Sequence, residues 1–335
     1  MEEIFRQAVA RNEAFNKTSV PWQPDEPDEQ AYHLFDEPSQ AWIPHKADGT
    51  AKSSSAGIDR LALYAWNIDF MLPYAESRMT IALRTLEDLL NASSSQDSST
   101  TATVIFIQEC IAPDLETIAA TPWVRERFLL TDTTPENWAA DYGTTTLVDR
   151  RLPPAALFRV HYAQTRMERD GLFVDVLMGT NKIRLCNSHL ESLDRMPPFR
   201  PPQVALVARH LKADGVDAGI AAGDFNAIQD FDRALHADNG LRDAYLERGG
   251  EEDSEDGYTW GQQAATTLRD RFGCSRMDKV FFRGAALELR GFERFGADVQ
   301  LEDPRERENV VELGFDKPWI TDHLGIKAEF ELVQN

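Results

Sequence analysis

The stretch Ile220–Asn226, reading I-A-A-G-D-F-N, constrains the fold more than any other part of the chain. A short apolar run ends in Gly223, and an acid and an amide follow two residues apart at Asp224 and Asn226. If Ile220–Ala222 is a buried strand, side chains at i and i+2 share a face, so both polar groups enter one cavity at the strand end. Gly223 lets the backbone turn there or lets a ligand approach. A simple Gly-Asp turn would read the same way, so the weight falls on whether the pattern recurs.

It does recur. Apolar runs end in Asn67 and Asp69 (W-N-I-D), in Glu109 (I-Q-E), in His189 (N-S-H-L) and beside Asp322-His323 (T-D-H). Asp278 adds a further acid in R-M-D-K-V-F-F. Each has an ordinary explanation on its own: Asn67 as a turn cap, His189 as a core histidine, Asp278 as a partner of Arg276 or Lys279. Taken together, so many carboxylates at buried strand ends are expensive unless a cation is shared among them. Oxygen ligands without thiolates select a hard ion, Mg²⁺ or its substitute Mn²⁺. Such an ion beside carboxylates and histidines suits phosphoester hydrolysis.

Around these ends the chain reads as mixed α and β without a regular repeat. Alternation predicts strands over Arg60–Ile68, Val104–Ile107, Leu157–Tyr162, Leu172–Met178, Lys182–Leu190, Ile220–Ala222, Met277–Phe282, Leu287–Phe292 and Gly325–Val333. Asp170-Gly171 is expected in a hairpin turn. Helical spacing marks Glu2–Phe15, Ala75–Leu90, Asp114–Ala120 and Pro202–Leu211. Asn91–Thr103 is Ser/Thr-rich and Glu247–Gly257 acidic, and both are expected as loops. Val20–Pro44 is Pro- and acid-rich with scattered aromatics. It is expected as an extended arm docking Trp22, Tyr32, Phe35 and Trp42 on the main body, or as a partner-binding peptide. Asp48–Gly57 marks a boundary, giving an N-terminal helix and arm over 1–58 and a catalytic domain over 59–335.

The 335 residues include enough apolar side chains (42%) for a sizeable core. No run approaches the roughly 20 apolar residues of a membrane span. Met1–Arg6 lacks the basic and apolar blocks of a signal peptide. The three cysteines are odd in number and unpatterned in spacing and read as reduced core thiols of a nuclear or cytoplasmic protein. A monomer is expected. The net charge of −21 excludes broad gripping of duplex DNA, which needs a basic face. Any nucleic-acid contact is therefore short or carried by a bound cation.

At these residues the sequence resembles the endonuclease/exonuclease/phosphatase superfamily, also called DNase I-like, over about Asp59 to Val333. The resemblance implies a two-sheet, four-layer α/β sandwich with strand ends around one or two Mg²⁺ ions. By position, Glu109 would be the principal ligand with Asn67, Asp69 and Asp322. Asp224 would activate water beside Asn226, His189 and His323 would stabilise the phosphoryl group, and Asp278 would orient His323. W-N-I-D, S-H-L-E-S, Thr259-Trp260 and the D-H pair look most like the tyrosyl-DNA phosphodiesterase 2 branch. That implies a DNA-repair hydrolase acting on single-stranded or 5′-end DNA carrying a tyrosyl adduct, with Ser192 and Trp260 along the substrate path. Two positions depart from the branch: Gly261-Gln262 follow Thr259-Trp260 where it has an acid, and Ile228 stands where it has an arginine. Arg233 is the nearest replacement, and Arg195, Arg200, Arg269, Arg271 and Arg276 are either substrate contacts or solvated loop charge. The alternatives are a less selective nuclease, a small-molecule or lipid phosphoesterase, and a non-catalytic binding member.

Overall fold

The computed structural model describes Arg6, Ala10 and residues 20–47, 57–97, 99–194 and 196–333. The expected helix Glu2–Phe15 and boundary Asp48–Gly57, apart from Arg6, Ala10 and Gly57, lie outside these residues, as does Arg195. The chain enters through three short strands, β1 (Pro27–Glu29), β2 (Ala31–Asp36) and β3 (Ala41–Lys46). The stretch expected to run as an extended arm is thus hydrogen-bonded into the body. Its aromatics do pack: Phe35 meets Trp42 edge-on, and the Trp42 indole N–H donates to the Ala119 carbonyl.

β4 (Arg60–Asn67) is buried on both faces, and its alternation explains the layering. Leu61, Leu63 and Ala65 enter the core between two sheets, while Ala62, Tyr64 and Trp66 face a helical layer outside. That outer layer holds α1 (Ala75–Asp97), whose Met79, Leu83, Leu86 and Leu90 lie on its buried face. α1 runs through most of the stretch expected as a Ser/Thr-rich loop, because β5 (Thr101–Cys110) already begins at Thr101 and leaves only a short connection. α2 (Ala112–Ala120) and α3 (Pro122–Arg127) follow, each opened by proline near its first turn.

Next come β6 (Phe128–Leu130), β7 (Gly143–Asp149), β8 (Ala156–His161), β9 (Asp170–Met178) and β10 (Asn181–Ser188). The expected turn at Asp170-Gly171 is instead the first two residues of β9. Buried Arg159 binds the Asp170 carboxylate through both oxygens at 2.9 Å, which removes it from any solvent-facing turn. α4 (Arg200–Leu211) leads to β11 (Ala218–Asp224), and β12 (Arg242–Asp243) follows after a short helical stretch. α5 (Thr266–Phe272), β13 (Asp278–Arg283), β14 (Leu287–Phe295), α6 (Pro304–Glu312) and β15 (Gly325–Leu332) complete the chain.

Seven strands form one sheet in the order β1-β8-β9-β10-β11-β13-β12, and eight form the other, β14-β15-β4-β5-β7-β6-β2-β3. The sheets face each other across a core of Leu, Val, Ile and Phe, with further cores outside each sheet. This is the expected two-sheet, four-layer sandwich. β4–β5 and β10–β11 are parallel, so Asn67, Glu109, His189 and Asp224 finish at one edge. β13 and β15 run antiparallel to these, so Asp278 and His323 start at the same edge. No helix among the described residues is long and apolar enough to cross a membrane.

Candidate active site

Gly223 adopts φ +137°, and a Cβ there would sit 2.1 Å from the Ser188 carbonyl oxygen. Only glycine lets β11 press this closely on β10, which carries Ser188 and leads into His189. β11 ends at Asp224, so Asn226 does not reach the cavity by strand alternation. It sits at φ +47°, donates its backbone N–H to Asp224 Oδ1 (2.8 Å) and its side-chain amide to the Leu190 carbonyl (3.1 Å). An Asx turn, not a pleat, puts both into one cavity.

Glu109 departs from its expected strand-end position, because β5 continues to Cys110. Between Ile107 and Cys110 the pairing with β7 shifts, so two residues face one, and Glu109 takes φ +60°. This bulge turns the carboxylate into the cavity. Asp69 is also left-handed, at φ +57°. Three non-glycine residues in this region cost of order 1–3 kcal/mol each, and such strain clusters at functional sites.

The centre of the site is the Asp224 carboxylate. Oδ2 accepts from Asn67 Nδ2 at 3.0 Å and lies 3.2 Å from His189 Nε2 and 3.7 Å from His323 Nε2. Burial opposes its charge, but His323 and His189 outweigh that and hold the carboxyl well below the usual range. The two histidines are set differently. Arg169 lies 2.7 Å from His189 Nδ1; arginine only donates, so Nδ1 accepts and the proton sits on Nε2. His323 Nδ1 pairs with Asp278 Oδ2 at 2.8 Å. Burial disfavours an imidazolium there, yet Asp278, Asp224 and Asp322 raise its pKa well above the ordinary value.

A second group of acids faces the first. Burial, then Asp322 and Glu109, push Asp69 well above its usual range, with Arg78 opposing. Asp322 is raised by burial and Glu109, against the pull of His323. Like-charged oxygen donors held together this way fit a hard divalent ion. Asp224, Asp278 and His323 offer a tighter triad, with ligand atoms within 4.8 Å. Those atoms already bond one another and Asn67, and Asp69, Glu109 and Asp322 form the other candidate cation cradle.

Arg78, fully buried, ties this edge together. Its guanidinium donates to the carbonyls of Ile68, Leu72 (3.0 Å), Pro73 (2.9 Å) and Ile320 (2.9 Å), linking the loop of Asp69 to the segment leading into Asp322. Trp260 donates to Asp322 Oδ2 at 2.7 Å.

The site opens into a cavity of about 830 Å³. Eleven of the thirteen sequence-selected residues line it: Asp69, Glu109, His189, Ser192, Asp224, Asn226, Arg233, Trp260, Arg276, Asp322 and His323. Asn67 and Asp278 lie directly behind. Arg233 is at the exposed rim, paired with Asp253. Arg276 is buried in pairs with Asp243 and Glu252, so its charge is committed within the fold. Arg200 and Arg269 are likewise paired, with Asp232 and Asp316. Sequence reasoning missed Arg169, which is buried, lines the cavity and lies over the Tyr142 ring at 5.3 Å. Its neighbour Asp170-Gly171 looked like a turn and masked it. Arg78 was missed as one unremarkable cation on an amphipathic helix.

Residues 64–323 match the model of the Endonuclease/Exonuclease/phosphatase family. No curated protein matches the chain. Among solved structures, truncated TDP2 from Caenorhabditis elegans aligns over 81% of this chain and 97% of its own, at 20% identity and TM-score 0.58. TDP2 from D. rerio complexed with single strand DNA product aligns over 81% and 99%, at 20% identity and TM-score 0.59. A mannosyl-6-phosphatase from Bacteroides thetaiotaomicron aligns over 82% and 100%, at 13% identity and TM-score 0.54. At these identities the likeness is one of fold.

Proposed function

The chain belongs to the Endonuclease/Exonuclease/phosphatase family and is a metal-dependent phosphodiesterase, and we propose that it hydrolyses 5′-phosphotyrosyl DNA ends. The observation that carries this reading is Arg169. It is a buried cation lining the cavity beside His189, with no carboxylate partner among the described residues. A cation so placed suits the phenolate that leaves when a tyrosyl ester is cleaved. The single strand DNA product bound by the D. rerio TDP2 structure supports the nucleic-acid half of the proposal.

In this reading Asp224, kept anionic by its histidines, orients water for in-line attack and takes its proton, with Asn226 fixing the carboxylate. His189 donates from Nε2 and His323 from its own Nε2 to the phosphoryl oxygens, while Asp278 keeps the His323 ring charged and aligned. Glu109, Asp69 and Asp322 would hold Mg²⁺, with Asn67 reaching it only through its remaining oxygen lone pair. When bound, that ion supplies charge that polarises the phosphoryl group. Ser192 and Trp260 would lie along the substrate path. The catalytic unit would run from 59 to 335, with 1–58 as an arm lending β1–β3 to the sheet edges.

The test is incubation with a 5′-tyrosyl oligonucleotide and a matched plain one, with Mg²⁺ and with chelator, using Asp224→Asn to exclude contaminating nuclease. Tyrosine release with the oligonucleotide left whole is expected. Internal cutting of both would make the protein a general nuclease, and no cleavage of either would remove the DNA-end assignment.

A further inference from the structure

The walls of the catalytic cavity change character from floor to mouth. Nine carboxylates line it against three guanidiniums. Of those three, Arg276 and Arg233 are paired with acids, and Arg169 sits on the floor against His189. A divalent ion would neutralise part of the floor but none of the rim, where Asp194 and Asp230 stay exposed. The rim also carries large apolar side chains that point to solvent: Leu193 is 54% exposed, Ile228 41% and Phe272 60%. Exposed apolar groups clustered at a catalytic mouth mark a binding surface, whereas scattered ones need no explanation. Two described cations adjoin this apolar surface: Arg271, stacked on the Phe272 ring at 4.9 Å, and Arg200, which donates to the Leu193 carbonyl but is buried in a pair with Asp232.

We infer that the site reads only the end of its substrate: the scissile phosphotyrosyl group plus the terminal nucleoside, held by apolar contact with Leu193, Ile228 and Phe272. This rests on the phosphotyrosyl reading above and narrows it. Among the described residues, a strand of many phosphates running out across this rim would meet exposed carboxylates, Arg233 already paired with Asp253, and Arg271 as the one further exposed cation. Binding through phosphate neutralisation is therefore limited to about one charge, whereas a base has a flat apolar face that Phe272 can stack on. Strand length beyond the first nucleotides then adds nothing to recognition.

The experiment compares a 5′-tyrosyl dinucleotide with a 5′-tyrosyl dodecanucleotide of the same terminal sequence, over about 50 to 500 mM KCl. We expect kcat/KM for the two to agree within about threefold, and log kcat/KM to fall against log salt with a slope no steeper than about −1. Phe272→Ser is expected to raise KM about tenfold on both substrates with kcat and Tm unchanged, a loss of the size of a well-packed base contact. A dodecanucleotide preferred about 100-fold, with a slope of about −3 or steeper, would mean that a phosphate-binding track exists and would overturn the inference. An unchanged KM in Phe272→Ser would overturn its apolar part. If the tyrosyl bond is cut in neither substrate, the phosphotyrosyl reading itself fails, and this narrowing falls with it.

Discussion

Gly223 and Arg169 show how much of the site hangs on single side chains. At φ +137° with a carbonyl oxygen 2.1 Å from where Cβ would stand, Gly223→Ala cannot be absorbed by rotating a flexible neighbour. We expect it to destabilise the fold by about 3 kcal/mol or more and to displace Asp224, so thermal melting and kcat fall together. A variant that melts like the parent would show that β10 and β11 can separate at this point. Arg169 is proposed to act at the other end of the reaction, on the leaving group. If it stabilises the departing phenolate, Arg169→Gln should lower kcat about 100-fold on a tyrosyl ester. The loss should shrink on a nitrophenyl ester, whose leaving group needs less help. An equal loss on both esters would assign Arg169 to holding the His189 tautomer alone.

Elements bring these groups together by devices that differ in how visible they are in sequence. The alternation of β4, β10, β11 and β13, and the polar residues at their ends, is written in consecutive letters and was legible. The β5 bulge was not, because a two-for-one pairing depends on what β7 does thirty-odd residues later. Nor were β1–β3 and β7, whose apolar content is low or interrupted, or β6, which is apolar but only three residues long (Phe128–Leu130) and whose partners are remote. Asn187 illustrates the same limit. It looks like one more polar strand residue, yet it accepts from Gln108 (2.8 Å) and donates to the Thr145 carbonyl (2.9 Å), bridging the two sheets inside the core. Asn187→Ala leaves those partners unsatisfied, so a loss of about 2–4 kcal/mol is expected in denaturant unfolding. Asn187→Ser melting like the parent would mean the strut is dispensable. On α4, burial against Phe158 and Phe173, with Arg209 and Arg184 nearby, pushes His210 down to about 4. The folded state keeps it neutral while the unfolded chain protonates it below the ordinary histidine value of 6.5. Its contribution to stability is therefore lost as pH falls from about 6.5 to about 4. His210→Phe should flatten that part of the Tm–pH curve, and a curve parallel to the parent's would remove this histidine from the acid response.

At the scale of the whole molecule the site is an intersheet object. Asn67, Asp69, Glu109 and Asp322 belong to the eight-stranded sheet and its connections, and His189, Asp224, Asn226 and Asp278 to the seven-stranded one. In a chain of net charge −21, packing both sets at one edge adds local repulsion to an already acidic body. An ion held by Asp69, Glu109 and Asp322 would relieve that repulsion only in the native state, so it should stabilise the fold whether or not substrate is turned over. At about 100 times its Kd, such an ion contributes about 2.7 kcal/mol. For a chain of this size that is a rise in Tm of about 3–5 °C. The pH dependence has a definite sign. Asp69 and Asp322 are raised above the ordinary carboxyl range, so protons compete with the ion for them as pH falls. The Mg²⁺-induced rise in Tm should therefore grow as pH increases from about 5.5 to about 8, with protons released on binding in a weakly buffered titration. Asp322→Asn should abolish most of the rise while leaving the metal-free Tm equal or higher, since it removes one of the repelling charges. A Tm indifferent to Mg²⁺ at every pH would mean that these carboxylates do not form the ion site. A rise that ignores pH would mean that they are already ionised, held apart by Arg78 rather than waiting for a metal.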